Sequence, residues 1–413
     1  MTSSRCAIDT ADRAALRYSY LCAKERSRLS PDYPVRAPLG ATSIERSEAL
    51  PLEDRSEGRA EPRHGRSGWA LGFIPGRRGP PSNSDTAAAK RIRSPTKLNL
   101  ALQGGGAHGA FTWGVLDRLA ESEAVELSAI SGTSAGAVNA AVFASGWLAG
   151  GPAVAKARLA ELWQAVADVA AHLSPAGLSQ IGLDAATHLL SPYQLNPLRL
   201  DPLRDMLLQL VDFSLLREAG APKLFIAATN MRTGRPRIFQ NAELSVDAVL
   251  ASACLPRLHH AVEIDGDAYW DGGYVSNPPL LPLVEGSSAR DTLLVRINVA
   301  DRAEQPLSAA GIRSRVGEIV FEQPLTQELA LLQARRGRQP SLARLSPSAA
   351  RRRIARHRLH IIDGGAAIAE LDPSTRVIAG ARVLDHLRAL GRQAADHWLA
   401  EGREARPRGH PKR

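Results

Sequence analysis

The chain has 413 residues, 44% of them hydrophobic, and a formal net charge of +10. That is enough apolar material for one large domain or two ordinary ones. The charge favours anionic partners such as phospholipid surfaces, nucleic acid or acidic proteins, without choosing among them. Its three cysteines, Cys6, Cys22 and Cys254, are odd in number and far apart. A disulfide framework or zinc site is therefore not expected, and a reducing compartment is compatible.

No membrane-spanning helix is predicted. The most apolar run, 137–148, is interrupted by Asn139 and Gly146 and is too short to cross a bilayer. Residues 1–30 carry charges throughout, unlike a secretory leader. The expectation is a cytoplasmic protein that visits membranes peripherally. Residues 1–95 are rich in Arg, Ser, Pro, Gly and Glu, and their GRRGPPSNS stretch can hold neither a helix nor a central strand. They read as a disordered basic extension, with a short helix over 9–29 as the alternative.

Order is expected from Lys97. Residues 98–102 form an apolar strand, followed by a glycine cluster and helical spacing over 111–120. A second strand, 125–130, turns through 131–136 into a small-residue helix over 137–147. This strand, glycine turn and helix, repeated, implies a parallel sheet covered by helices. Residues 153–171 form a further helix, and the Pro-punctuated 191–203 a loop. A strand at 224–229 returns as a hairpin through 237–240. Then come a short helix over 246–253, a buried strand over 293–299, a last strand over 359–362 and a closing helix over 374–400 capped by Ser374. The expected divisions are an extension (1–95), a catalytic domain (96–300), a mainly helical region (301–400) and a frayed tail (401–413).

Three constellations carry chemistry. Gly104, Gly105, Gly106, Ala107, His108 and Gly109 lie between a strand and a helix. Such a loop turns unpaired N–H groups toward one point, where they can hold a phosphate or a developing oxyanion. It also fits the dinucleotide fingerprint, or a plain tight turn. Gly132, Thr133, Ser134, Ala135 and Gly136 spell G-x-S-x-G, again between strand and helix, the context in which a serine hydroxyl is exposed on a sharp turn. The bland reading is a serine-capped helix. Asp271, Gly272 and Gly273, followed by Asn277 and Pro278, place a carboxylate at a strand end, although Asp-Gly alone is usually a turn.

Taken in order, GGGAHG, GTSAG and DGGYVSNPP resemble the patatin-like phospholipase family over roughly 98–297. The resemblance implies a three-layer α/β/α fold with a mainly parallel central sheet. It also implies a Ser-Asp dyad without a histidine, in which Ser134 attacks an ester carbonyl and Asp271 takes its proton. The glycine loop would supply the oxyanion hole. Substrates would be phospholipids, lysophospholipids or other acyl esters, and no cofactor or metal is implied. Many family members carry Arg or Lys where this chain has His108, which puts any anion-binding role of that side chain in doubt.

Several alternatives stay open. Asp363 repeats the Asp-Gly-Gly pattern with Gly364 and Gly365, but lacks the downstream Asn-Pro. His108, His259 or His260 could complete a triad. Cys254 reads as a small buried residue. The arginines between 335 and 358 either hold anionic lipid or form a solvated face. The acyl channel is expected from 153–216. Competing functions are a non-catalytic membrane-binding protein and a nucleotide-dependent oxidoreductase. The second is disfavoured because strand 125–130 does not lead to the acidic residue a ribose needs. Nucleic acid is not an expected partner.

Overall fold

The computed structural model describes residues 95–173, 191–196, 201–298, 302, 305–337 and 348–404. The 1–94 extension with its helix over 9–29, the rest of the 153–216 channel segment, the arginines at 338–347 and the tail beyond 404 lie outside the described residues.

Eight strands form one mixed sheet: β1 (Thr96–Leu102), β2 (Val125–Thr133), β3 (Lys223–Asn230), β4 (Pro236–Gln240), β5 (Val262–Ile264), β6 (Asp267–Asp271), β7 (Asp291–Arg296) and β8 (Arg358–Asp363). Their order is β5-β6-β3-β2-β1-β7-β8, with β4 also paired to β3. The pairs β2/β3, β1/β2, β1/β7 and β7/β8 are parallel, and β4, β5 and β6 add antiparallel pairs. β8 extends the sheet well past residue 300, so the C-terminal region is built into the same layer. The β5–β6 hairpin turns on Asp265 and Gly266, both at positive φ (52° and 81°), as a two-residue Asp-Gly turn requires.

Strand side chains alternate between faces, and both faces are buried. Leu98, Leu100, Leu102, Ile226, Leu293 and Val295 face the larger core. It is closed by helices α1 (Gly109–Ala120), α2 (Ala135–Leu173) and α3 (Val246–Ser252), together with a C-terminal helix. Ala101, Ala129, Phe225 and Leu294 face the other side. There α4 (Leu280–Gly286), α5 (Ala309–Gly337) and α6 (Ala349–Arg356) contribute Leu280, Leu283, Leu325, Leu332 and Ile354. This is a three-layer α/β/α arrangement.

Several helices differ from the sequence reading. The stretch 191–203, expected as a loop, holds a short helix, Pro192–Leu195, whose first turn starts on a proline, and the start of a second, Pro202–Leu210. The segments 137–147 and 153–171 join in α2, broken by the non-helical Gly150 and Gly151. α2 has the length and hydropathy of a membrane span, but Val138, Val142, Phe143, Leu159 and Leu162 bury themselves in the core. The closing helix, α7 (Ala381–Glu404), does not start at Ser374. Asp372 caps a separate 3-10 turn, Pro373–Arg376, and its carboxylate takes both the N–H and the hydroxyl of Ser374. The serine is thus committed to the turn and cannot cap a helix. α7 lies along α1, where Arg388 and Arg392 reach the buried Asp117 at 2.8 Å and 2.5 Å.

Candidate active site

Ser134 occupies the step between β2 and α2. Its φ of 55° is left-handed, a conformation that costs a non-glycine residue about 1–3 kcal/mol and persists where the surroundings enforce it. The enforcement is visible. The Ser134 N–H donates to Ser252 Oγ at 3.0 Å, and its carbonyl accepts from Ala137 and Val138, starting the helix. Thr133 Oγ1 donates to the Ser276 carbonyl at 2.7 Å, tying the elbow to the loop after β6. Gly136 has no room for a side chain, because a Cβ there would lie 2.1 Å from the Leu102 carbonyl oxygen.

Asp271 ends β6. β3 stands between it and Ser134: Ala227 is in register with Thr133 on one side, and Ala228 with Asp271 on the other. The Asp271 backbone is held by Cys254 and Thr229, at 2.8 Å and 2.7 Å. Its side chain is fully buried. Oδ1 accepts the Gly273 N–H at 2.7 Å. Burial raises the Asp271 pKa to about 7, against the lowering effect of the Ser134 hydroxyl and the Gly273 N–H. Oδ2 has no hydrogen-bond partner in the resting structure, although the Ser134 hydroxyl is near enough to lower the carboxyl's pKa. Catalytic hydrogen bonds are often long before substrate binds.

The glycine loop lies against the serine. A Cβ on Gly104 would fall 2.7 Å from Ser134 Cβ, so only glycine permits this approach. The Gly104 N–H is already used, donating to Asn277 Oδ1 at 2.7 Å. Among the described residues no acceptor meets the N–H of Gly105 or Gly106. Gly106, at φ 61°, opens a 3-10 turn, Gly106–His108, which leads into α1. Ala107 and Gly109 belong to that turn and the helix start.

His108 points away from the chemistry. Its Nε2 lies 2.9 Å from Thr375 Oγ1, whose single proton goes to the Asp372 carbonyl at 2.6 Å. Nε2 is therefore the donor and the ring is the Nε2–H tautomer. Burial first, then Arg376, lower its pKa to about 4, so the side chain is neutral near pH 7.

Other candidates are separated from the serine. Asp363 ends β8, three strands from β2. There it pairs with Arg296 at 3.3 Å and caps Gly365. His260 Nε2 meets the carbonyls of Pro192 and Asn196, at 3.2 Å and 2.9 Å, and its ring packs on Tyr193. Together with His259, Leu250 and Cys254 it lines a cavity of about 300 Å³ that neither Ser134 nor Asp271 borders. Cys254 is buried, donates to the His260 carbonyl at 3.0 Å, and has its pKa pushed up to about 12 by burial and then by Asp271, so it is an inert thiol. Arg335 pairs with Glu285 at 2.7 Å, Arg353 reaches the Glu285 carbonyl, and Arg358 pairs with Asp291 at 2.6 Å. Arg335 and Arg353 thus tie α5 and α6 to α4, and Arg358 ties β8 to β7. Among the described residues no group of three or more metal-ligating side chains occurs.

Sequence reasoning missed Ser252, Asn298 and Arg376, which carry no local motif and reach the site only through the fold.

The fold and the site define a class: a three-layer α/β protein that gathers a strained serine, a buried carboxylate and a loop of backbone donors at one end of its sheet. Residues 100–284 match the sequence model of the patatin-like phospholipase family, and this segment is a patatin-like phospholipase domain. No curated protein sequence matches the chain. Among solved structures, a chain of the heterodimeric ExoU–SpcU complex from the type III secretion system of Pseudomonas aeruginosa is similar at 18% identity and a TM-score of 0.35. The alignment covers 76% of this chain and 52% of that one, so the present chain spans about half its length. VipD from Legionella pneumophila is similar at 15% identity and a TM-score of 0.30, with 74% of this chain and 67% of that one covered.

Proposed function

We propose that the protein hydrolyses acyl esters of lipids with Ser134 as nucleophile and Asp271 as its base. The observation that carries this reading is Asp271 itself. It is a buried carboxyl with a pKa near 7, placed one strand beyond a serine held at a positive φ. A serine hydroxyl attacks only when a base takes its proton, and a base poised near the working pH does this best.

Asp271 Oδ2 accepts the Ser134 proton as Oγ attacks the ester carbonyl. The resulting oxyanion is met by the Gly105 and Gly106 N–H groups, while the Gly104 N–H, bound to Asn277, holds the loop. Asp271 then gives its proton to the departing alcohol, leaving an acyl group on Ser134. Water, deprotonated by Asp271, attacks this acyl ester and frees the carboxylic acid and the serine. The +10 charge supports peripheral contact with anionic membranes from the cytoplasm, a contact that vesicle flotation at low and high salt tests.

The decisive experiment compares wild type and Ser134→Ala on short-chain nitrophenyl esters and phospholipid vesicles, with fluorophosphonate labelling in parallel. Loss of turnover and of labelling together is the expected result. Undiminished turnover in the alanine variant refutes the assignment, and labelling absent from wild type favours a non-catalytic lipid-binding protein.

A further inference from the structure

The glycine loop is held from outside by a chain of polar groups that the mechanism has not used. Arg376 Nη2 donates to Asn298 Oδ1. Asn298 Nδ2 donates to the Gly104 carbonyl at 3.0 Å. The same glycine's N–H is bound by Asn277 Oδ1 at 2.7 Å. Asn298 is fully buried. Its own N–H, with that of Ile297, donates to Gln103 Oε1 at 2.9 Å and 2.8 Å, which fixes the end of β7 against the end of β1.

We propose that Asn298 and Arg376 are positioning residues for the reaction: they set the Gly104–Gly105 peptide so that the Gly105 N–H faces the oxyanion. The proposal rests on the reading of Ser134 as nucleophile. A trans peptide is planar, with its C=O and N–H pointing in opposite directions. Anchoring the Gly104 carbonyl on Asn298 therefore turns the Gly105 N–H away from Asn298. The two sides of the loop are distinct: a Cβ on Gly105 would meet Ile297 and Asn298, whereas one on Gly104 would meet Ser134. A free peptide between glycines can flip, and the anchor removes that freedom.

Arg376 decides which way the anchor works. A guanidinium only donates and a backbone carbonyl only accepts, so Asn298 must turn Oδ1 to Arg376 and Nδ2 to Gly104. The turn that carries Arg376 also packs on the loop directly, for a Cβ at Gly106 would lie 2.2 Å from the Arg376 carbonyl oxygen. Glu318 supplies the opposing charge to Arg376.

The test uses the full chain and the variants Asn298→Asp, Asn298→Ala, Arg376→Met, Arg376→Lys and the Asn298→Ala/Arg376→Met double. Asn298→Asp is near-isosteric and can still accept from Arg376, but it replaces the donor to Gly104 by a carboxylate oxygen and adds a negative charge. It is expected to lower kcat for a nitrophenyl ester about a hundredfold, with KM within about threefold of wild type and an unchanged unfolding midpoint. Arg376→Met is expected to lower kcat, Arg376→Lys to restore part of it, and the double variant to lose no more than Asn298→Ala alone, since residues acting as a unit are non-additive. If Asn298→Ala does not fold, Asn298→Asp decides. Wild-type kcat in a folded Asn298 variant, or losses that multiply in the double variant, overturns the positioning role. Silent Asn298 variants beside an inactive Ser134→Ala overturn that role alone. Turnover retained in Ser134→Ala overturns the nucleophile assignment on which it rests.

Discussion

Replacing Asp271 by asparagine should trade activity for stability, and the trade should depend on pH. Burial lifts the Asp271 pKa from 3.8 to about 7. Between these values the folded protein keeps a proton that the unfolded chain has released, so stability falls as pH rises through this window. Above it the ionised carboxylate is held against its burial. The shift spans roughly 3 units at about 1.36 kcal/mol each, so the cost of that charge at pH 8 is about 4 kcal/mol. Asparagine keeps an oxygen for the Gly273 N–H, now 2.7 Å from Oδ1, and carries no charge to desolvate. Its NH2 group would meet the position where Oδ2 has no partner, an offset of about 1–3 kcal/mol that is the same at every pH. The measurable quantity is therefore the swing in the difference between Asp271→Asn and wild type. Urea denaturation at pH 4 and pH 8 should show the variant gaining about 4 kcal/mol over that range. Any titration of His108 is shared by both proteins and cancels. The variant should also lose turnover by more than about a thousandfold, as loss of a catalytic base does. A difference that stays constant from pH 4 to pH 8 would refute the argument that burial perturbs this carboxyl.

Further outcomes follow from the same structure. In wild type, kcat/KM on a neutral ester should rise about tenfold per pH unit below 7 and level off above it, because the base must be ionised; a flat profile from pH 5 to 8 contradicts Asp271 as base. His108 works in the opposite sense. Its pKa, lowered to about 4, makes the fold lose stability as pH drops from 6.5 toward 4, since the unfolded chain takes up the proton first; His108→Gln should flatten that limb of the stability–pH curve. Gly106→Ala places a Cβ 2.2 Å from the Arg376 carbonyl at a positive φ, and should cost about 2 kcal/mol or more as well as turnover; a wild-type melting midpoint would contradict it. Asp117→Ala takes the buried carboxylate from Arg388, while Arg392 keeps Glu121, and with both guanidinium groups partly in solvent it should destabilise by about 1–2 kcal/mol in urea titration.

The sequence pattern disclosed the frame of the candidate site because its signals are local. Glycines at 104–106 and at 132 and 136 sit between apolar strands and small-residue helices, and each motif falls at a strand end in the structure. The repeated strand, glycine turn and helix announced a parallel sheet covered by helices. The hairpin at Asp265-Gly266 was also legible in principle, since Asp-Gly between β-favouring residues is a strong turn signal, yet only the second of its strands was read. What stayed hidden depends on distance in the chain. The choice between Asp271 and Asp363 needed the strand order, which puts one beside the serine's side of the sheet and pairs the other with Arg296. The protonation of His108 needed Thr375 and Arg376, more than two hundred residues away. Ser374 looked like a helix cap until Asp372 claimed both of its donors.

The last strand and the turn that follows it have a consequence for biosynthesis. Ser134 and Asp271 leave the ribosome before β8 and the Pro373–Arg376 turn that braces the glycine loop. Domains fold as units while synthesis proceeds from the N-terminus. A nascent chain halted before residue 376 carries both reactive residues without the brace.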